Sequence, residues 1–235
     1  MPSIARSVRR PILSLLAGLL LAGHVDAAEP AHYRLDPVHT RVLFAIEHAG
    51  FSHALGTVSG STGTLDFDPG DWTTARLHAS VPLARADLGD AAWNRAALAG
   101  NLLDVERFPT AEFVSTTIEP LAPDRARVHG TLTLHGVSRA IVLEVTLNAL
   151  KRHPLPPFRR TVGFSATASL SRKAFGIDAW PSVIGDAVEL RIEAEAVRAR
   201  ADGSDDDATE LPDAASVPAT APADTPSDSA TDSTP

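Results

Sequence analysis

Short segments in which apolar and polar residues alternate recur along most of this chain. From Ala187 to Arg198, for example, Val188, Leu190 and Ile192 alternate with charged residues. Successive side chains of a β-strand point to opposite faces, so this pattern predicts a strand with one buried and one exposed face. Many two-faced antiparallel strands in series are typical of a sandwich or a barrel, and the interior of a barrel holds either side chains or a ligand.

The same pattern divides the middle of the chain into predicted elements. The predicted strands are His32–Leu35, Thr40–His48, Leu55–Phe67, Thr74–Leu83, Thr110–Ile118, Arg125–Leu134, Ala140–Leu150, Thr161–Leu170 and Ala187–Arg198. Glycines in Leu55–Phe67 indicate a bent or bulged strand, or two strands joined by a tight turn. His135 and Gly136 predict a tight hairpin. The segment Asp90–Leu103 predicts a helix capped by Asp90, and Ser171–Ile177 a short helical or irregular excursion.

The two ends of the chain differ from the middle. Residues 1–27 have a basic start, an apolar stretch from Ile12 to Ala22 and small residues before position 28, which is typical of a signal peptide cleaved after Ala27. Residues 201–235 contain eight Asp, one Glu and no Lys or Arg, a composition that predicts a disordered acidic tail. We therefore expect export, with the periplasm as destination, and one folded domain over residues 28–200.

Charge and cysteine content restrict the function of that domain. The tail accounts for −9 and residues 1–27 for +2 of the net charge of −8, which leaves −1 for residues 28–200. A nearly neutral domain has no excess of positive charge for nucleic-acid phosphates, so nucleic-acid binding is disfavoured. The chain has no cysteine and hence no disulfide, so its core alone must hold the fold together.

The sequence contains no established catalytic or metal-binding motif. There is no nucleophile elbow, phosphate loop or cysteine nucleophile, and the nine histidines lack the spacing of a metal site. Asp36 and His39 are close enough in sequence to form a hydrogen-bonded pair, for which pinning the first turn is the simplest role. We predict a non-enzymatic protein without a catalytic cofactor or metal.

The candidate binding residues are apolar side chains on the faces predicted to be buried. They are Val42, Phe44, Ile46, Leu77, Val81, Phe113, Leu132, Leu143, Val145, Leu147, Phe164, Ala166, Ala168, Phe175, Ile177, Val188, Leu190 and Ile192. Burial of an apolar side chain stabilises a fold whether its neighbour is protein or lipid, so periodicity leaves a packed core and a hollow lumen both open. Small residues on the same faces, such as Ala75, Ala79 and Ala194, favour a hollow interior.

Five motifs in order resemble one family. They are Tyr33-x-Leu35-Asp36-x2-His39-Thr40, His48-x-Gly50-Phe51-Ser52, Leu103-Asp104-Val105-Glu106-x-Phe108-Pro109-Thr110-Ala111-x-Phe113, Gly130-x-Leu132-Thr133-x-His135-Gly136-Val137-x-Arg139, and Phe175-Gly176-Ile177 followed by Ile184-Gly185-Asp186-x-Val188. Over roughly residues 31–197 the chain resembles the YceI family of periplasmic, lipocalin-like proteins. The resemblance implies an all-β fold, an extended eight-stranded antiparallel barrel with one or two short helical segments. It also implies an isoprenoid lipid or isoprenoid quinone in the lumen. We expect Phe175 near the ligand, because its motif lies between two predicted strands, where a barrel opens.

The chain departs from that family in one segment. Many relatives carry an Arg-Asp…His-Leu segment before the Asp-Val-Glu stretch, and here Trp93 to Gly100 replaces it without the acid or the histidine. The resemblance therefore implies the barrel but not the headgroup of the ligand. Two other functions stay open: a lipid- or quinone-modifying enzyme that uses Asp36 and His39, and a packed barrel whose acidic tail recruits a basic partner. Transient contact with a membrane or a membrane protein, and a dimer, are compatible with the sequence.

Overall fold

The computed structural model describes residues 29–199, so the predicted signal peptide and acidic tail lie outside the described residues. The strands are β1 (Ala31–Leu35), β2 (Arg41–His48), β3 (Ser52–Ser59), β4 (Thr62–Phe67), β5 (Arg76–Pro82), β6 (Ala86–Asp87), β7 (Thr110–Ala122), β8 (Arg125–Leu134), β9 (Val137–Arg152), β10 (Arg160–Ser171) and β11 (Ile184–Arg198). One helix, α1 (Ala91–Leu98), and three 3-10 turns, at Trp72–Thr74, Leu83–Arg85 and Lys173–Phe175, complete the described part. Within residues 29–199, no helix has the length and hydropathy that a membrane span requires.

The sheet closes on itself as an antiparallel barrel. Eight strands follow one another in the order β1-β4-β5-β7-β8-β9-β10-β11, and β11 pairs with β1 again through Tyr33 opposite Arg198 and Leu35 opposite Ala196. The rest of β11 pairs with β2, and β3 pairs with both β2 and β6, so these strands extend the wall at one end. The predicted all-β, eight-stranded antiparallel barrel with short helical segments is confirmed.

The breaks between elements follow local backbone chemistry. The segment predicted over Leu55–Phe67 is two strands, β3 and β4, separated at Gly60, whose φ of 80° is in the region that favours glycine. His135 and Gly136 have φ values of 52° and 73°, as a two-residue type I′ hairpin between β8 and β9 requires. The hairpin joins two paired strands, with Leu134 opposite Val137, whereas the break at Gly60 separates strands that pair with different partners: β3 with β2 and β6, and β4 with β1 and β5.

The helical prediction over Asp90–Leu103 holds for its first half. The carboxylate of Asp90 accepts hydrogen bonds from the backbone N–H groups of Ala92 and Trp93 and caps α1. The helix ends at Leu98, and the following residues fold back in turns in which Leu103 N donates to Ala97 O. Gly100 and Asn101 favour such turns, which explains why the helix is shorter than its apolar composition predicts.

The two ends of the barrel are built differently. At one end, called here the aromatic end, the ring of Phe67 packs edge to face against Trp72 and Phe164, with ring centroids 5.1 and 5.4 Å apart. At the other end, called the helical end, α1 and the segment between β10 and β11 surround the interior. The barrel is therefore filled with aromatic rings at one end and edged by short helical segments at the other.

Candidate ligand-binding cavity

A cavity of about 520 Å³ occupies the interior of the barrel. Its wall includes Phe67 and Trp72 from the aromatic end and Trp93 and Trp180 from the helical end. Both Trp93 and Trp180 are also exposed, at 42% and 51%, so the cavity reaches the surface at the helical end. A volume of this size is within the range of pockets that bury most of a small organic ligand.

The strand faces predicted to be buried form most of the wall. The predicted residues that line the cavity are Val42, Phe44, Ile46, Leu77, Val81, Phe113, Leu132, Leu143, Val145, Phe164, Ala166, Ile177, Val188, Leu190 and Ile192. They come from β2, β5, β7, β8, β9, β10 and β11, and from the segment after β10. The alternation of the sequence thus identifies the inward faces around nearly the whole barrel.

Three predicted residues do not line the cavity. Leu147 and Ala168 pack against the core and are not part of the cavity wall. Phe164, the residue paired with Leu147 between β9 and β10, does line the cavity. Phe175, expected near the ligand, is only 1% exposed and belongs to the packed core. Phe175 lies in a 3-10 turn, in which its backbone N–H donates a hydrogen bond to Arg172 O. Ile177, two residues later, lines the cavity.

Small inward residues leave the interior open. Ala75, Ala79, Ala166 and Ala194 all line the cavity, and each stops at Cβ where a larger side chain would fill the lumen. The short alanine side chains therefore explain why the interior of the barrel is not filled by the side chains of its own wall.

Two aromatic rings in the wall depend on glycines in neighbouring strands. A Cβ at Gly56 would come within 2.7 Å of Phe44 Cε1, and one at Gly130 within 2.5 Å of Phe113 Cε2. Each ring therefore occupies space that a side chain on the next strand would otherwise take. The glycines at these two positions fix where the rings lie and hence the shape of the wall.

Few polar groups interrupt the apolar wall. Thr40 donates a hydrogen bond from Oγ1 to Glu195 O over 3.3 Å. Ser61 Oγ and Trp72 Nε1 are buried and have no hydrogen-bond partner among residues 29–199. Both residues line the cavity, so a ligand oxygen or a water molecule inside it would offer them partners.

A buried arginine holds the segment between β10 and β11 at the helical end. Arg172 is 3% exposed, and its guanidinium donates to the carbonyl oxygens of Gly185, Ile177 and Ile184 over 2.7 to 2.8 Å. Beside it, Asp186 accepts a hydrogen bond from Lys173 N, which with the Ser171 hydroxyl lowers the pKa of Asp186. These bonds fix the position of Ile177 in the cavity wall.

Helix α1 supplies wall residues that the strand pattern did not identify. The cavity-lining residues of α1 are Trp93, Ala96 and Ala97. Their i, i+3 and i+4 spacing places them on one face of a helix, so the sequence pattern was sufficient to predict this inward face. The Trp93 ring lies 5.3 Å from the ring of His48, which also lines the cavity. Leu102, in the turns after α1, also lines the cavity, and no helical or strand periodicity in the sequence predicted its inward position.

The Asp36–His39 pair forms but lies outside the cavity wall. Asp36 Oδ2 is 2.8 Å from His39 Nδ1, and Asp36 Oδ1 accepts from the N–H groups of Val38 and His39. Burial raises the pKa of Asp36, but these hydrogen bonds outweigh burial and lower the pKa overall. The hydrogen bond that His39 donates to the Asp36 carboxylate raises the pKa of His39. Neither residue lines the cavity, and their bonds close the turn between β1 and β2.

Among residues 29–199, no three His, Asp or Glu side chains are grouped closely enough to hold a metal ion. Two of the histidines considered as ligands have other neighbours. His129 lies beside Glu119, and His135 contacts the carbonyl oxygen of Phe175 and the ring of Phe108.

Comparison with known proteins identifies the family. Residues 33–196, which include every strand of the closed ring apart from its outermost residues, match the YceI-like domain family. The chain belongs to this family. It is 32% identical over 188 residues to a UPF0312 protein of Pseudomonas savastanoi pv. phaseolicola, a match that covers 79% of this chain and 95% of the relative. A UPF0312 protein of Pseudomonas putida F1 is 30% identical over the same length and coverage.

Solved structures share the fold at lower identity. Burkholderia cenocepacia BcnA superposes with a TM-score of 0.62 at 21% identity, covering 68% of this chain and 98% of BcnA. A polyisoprenoid-binding domain from Saccharophagus degradans gives a TM-score of 0.55 at 13% identity, covering 72% of this chain and 99% of that domain. The YceI-like chain described here thus shares the barrel with these proteins.

Proposed function

We propose that this YceI-like protein binds an isoprenoid lipid or isoprenoid quinone with its apolar chain in the barrel cavity, and sequesters or carries it. One observation carries the proposal: a single apolar cavity runs from the aromatic end to a surface opening at the helical end. A related barrel from Saccharophagus degradans is described as a polyisoprenoid-binding domain, which supports the same ligand class here. The driving force is removal of the chain from water, worth ~0.8 kcal/mol for each CH₂ buried.

The few polar wall residues favour a ligand with an uncharged headgroup. Among residues 29–199, the charged or titratable residues of the wall are Glu47, His48 and Arg172, near the opening. The Arg172 guanidinium already donates to three carbonyl oxygens, and α1 presents Trp93 and alanines in place of charged side chains. A diphosphate needs several cationic donors, whereas a quinone or an alcohol needs only one or two hydrogen bonds. We therefore favour a quinone or prenyl alcohol over a prenyl diphosphate.

The proposal includes export to the periplasm. Its support is the basic start, apolar stretch and small residues of positions 1–27. Intact mass of the protein from the periplasmic fraction tests this point, and the expected mature chain begins at Ala28. A full-length protein retained in the cytoplasm would contradict it.

Native mass spectrometry of protein purified without detergent tests the binding function. The expected spectrum contains a non-covalent adduct of several hundred daltons that organic solvent releases for identification. A ligand-free mass, together with no uptake of added isoprenoid quinone or prenyl alcohol, would refute the proposal. Loss of the acidic tail, residues 201–235, is expected to leave ligand binding unchanged, because the apolar wall residues on which the proposal depends belong to residues 29–199.

A further inference from the structure

The connection between β9 and β10 presents two exposed apolar side chains between basic residues. Its residues Lys151 to Arg160, called here the basic loop, read Lys-Arg-His-Pro-Leu-Pro-Pro-Phe-Arg-Arg. Leu155 is 63% exposed and Phe158 51% exposed. From Val145 to Ile177 the chain contains six basic residues and no acidic residue. The basic loop thus combines apolar tips with a concentrated positive charge at the aromatic end of the barrel.

Internal hydrogen bonds hold the basic loop in this shape. His153 N donates to Arg159 O over 2.8 Å, and Phe158 N donates to Leu155 O over 2.9 Å. Leu155 N also donates to His153 Nδ1 over 3.2 Å. The exposed position of the two apolar side chains is therefore part of an ordered turn.

The backbone at Phe158 gives no local reason for an aromatic residue. Its φ is 57°, a left-handed conformation that Gly or Asn adopts at lower cost than a residue with a bulky side chain. The ring remains half exposed, so burial does not offset that cost. A phenylalanine that neither suits the backbone nor fills the core points to a contact outside the molecule.

The charges of the basic loop point the same way. Arg152 and Arg160 are directly opposite each other in the β9–β10 register, and like charges opposed across strands are destabilising. The next strand ends at Arg198, beside this pair, because Val197 pairs with Thr161. No ion pair involves Lys151, Arg152 or Arg160 within the part of the chain that the structure describes. The acidic residues facing β10 from β11, Glu193 and Glu195, lie opposite Ser165 and Gly163 and line a surface cleft that also includes Lys151 and His153. Arg152 and Arg160 do not line that cleft.

We propose that the basic loop docks this protein on anionic lipid bilayers, with Leu155 and Phe158 inserted among the headgroups. Clustered Lys and Arg side chains bind anionic headgroups, and neighbouring apolar residues anchor in the interfacial region. A bilayer accommodates the charge and the apolar tips together. Docking by this loop leaves the cavity opening, at the helical end, facing water. The proposal does not depend on the identity of the ligand in the cavity.

Vesicle co-sedimentation of the mature full-length protein tests the proposal. Phosphatidylglycerol–phosphatidylethanolamine vesicles should bind at least roughly tenfold more tightly than phosphatidylcholine vesicles, because only the former attract the basic loop. Raising salt from ~0.1 M to ~1 M shortens the Debye length from about 10 Å to about 3 Å and should remove this preference. Equal binding to both kinds of vesicle, or no binding to either, would overturn the proposal.

Substitution of Phe158 by Gly separates docking from folding. Phe158→Gly should weaken binding to anionic vesicles roughly tenfold, since it removes the inserted ring, while thermal stability stays equal or rises because φ at this position favours Gly. Arg152→Gln with Arg160→Gln should abolish the preference for phosphatidylglycerol. A fall in stability of Phe158→Gly would reveal a structural role for the ring and overturn the argument.

Matched controls are available at the other end of the barrel. Phe51 is 91% exposed at the β2–β3 turn, and Arg95 is an exposed basic residue on α1. Phe51→Gly with Arg95→Gln should leave vesicle binding unchanged. If these controls lose binding while Phe158→Gly retains it, the helical end is the docking surface and the proposal is wrong. Capture by a protein in place of lipid would appear as binding to native membranes but not to protein-free vesicles, and would also refute it.

Discussion

Substitution of Ala166 by Phe is expected to fill the cavity and exclude its ligand. Ala166 lies on β10 between Val145 of β9 and Ile192 of β11, and all three line the cavity. A phenyl ring introduced here takes the place of about six ligand carbons, each worth ~0.8 kcal/mol of burial, so binding should lose ~3–5 kcal/mol. That loss corresponds to a Kd weakened by roughly two to three and a half orders of magnitude, at 1.4 kcal/mol for each tenfold change.

Binding of a short-chain isoprenoid quinone, followed by quenching of tryptophan fluorescence, measures this change. Trp72, Trp93 and Trp180 all line the cavity, so a bound quinone ring lies near at least one indole. The matched control is Thr167→Phe, which places the same ring on the exposed face of the same strand. If Ala166→Phe folds with an unchanged circular dichroism spectrum and binds as tightly as the original protein, the cavity is not the binding site.

Three further predictions concern stability, each measured by urea unfolding. His39→Ala should destabilise more at pH 5.5 than at pH 8.5. Folding raises the pKa of His39, so this group stabilises the fold below its unfolded pKa of 6.5, and the stabilisation is lost as pH rises through its folded pKa. Folding lowers the pKa of Asp36, so the stabilisation from Asp36 is lost only as pH falls through the folded pKa of Asp36. An equal loss at both pH values would rule out the charged pair. Arg172→Met should lower the free energy of unfolding by ~3 kcal/mol or more, because three carbonyl oxygens lose their hydrogen-bond donor. Arg172→Lys should restore little of that stability, because one ammonium group cannot replace the planar guanidinium. Full stability in Arg172→Lys would contradict this argument. Gly130→Ala should lower the free energy of unfolding by ~1–3 kcal/mol, since its Cβ would lie 2.6 Å from a backbone carbonyl oxygen. Gly163→Ala should be neutral or stabilising, because its Cβ would lie 4.0 Å from Ala194 O, an ordinary van der Waals contact; the reverse order would refute the packing argument.

The sequence was informative about elements whose signal is local. Alternation around Val188 and Leu190 located β11 and its inward face, and His135-Gly136 located a hairpin, because period-2 burial and left-handed turns involve only neighbouring residues. The same alternation does not distinguish every face. Leu43 and Val142 are apolar yet more than a third exposed on the outside of the barrel, where their strand neighbours face inward.

Longer-range features required the folded chain. Phe175 carries a family motif, yet the turn in which it lies places its ring in the core and leaves Ile177 in the wall. Trp72 and Trp93, separated by twenty-one positions in the sequence, line the two ends of one cavity because the barrel brings its strands around a common axis. A sequence pattern specifies which way a side chain points but not what lies opposite it.

The chain by itself therefore determined the all-β class, the inward faces of its strands and the charge of its segments, since each depends on residue type and spacing. Only the tertiary structure showed that β11 pairs with β1 and so closes the barrel. It also showed that small residues such as Ala75, Ala79 and Ala166 line the same hollow interior. Closure and empty volume depend on contacts between residues far apart in sequence. Burial stabilises an apolar side chain equally against a neighbouring residue and against a lipid, so the alternation of apolar and polar residues does not by itself distinguish a packed barrel from a hollow one.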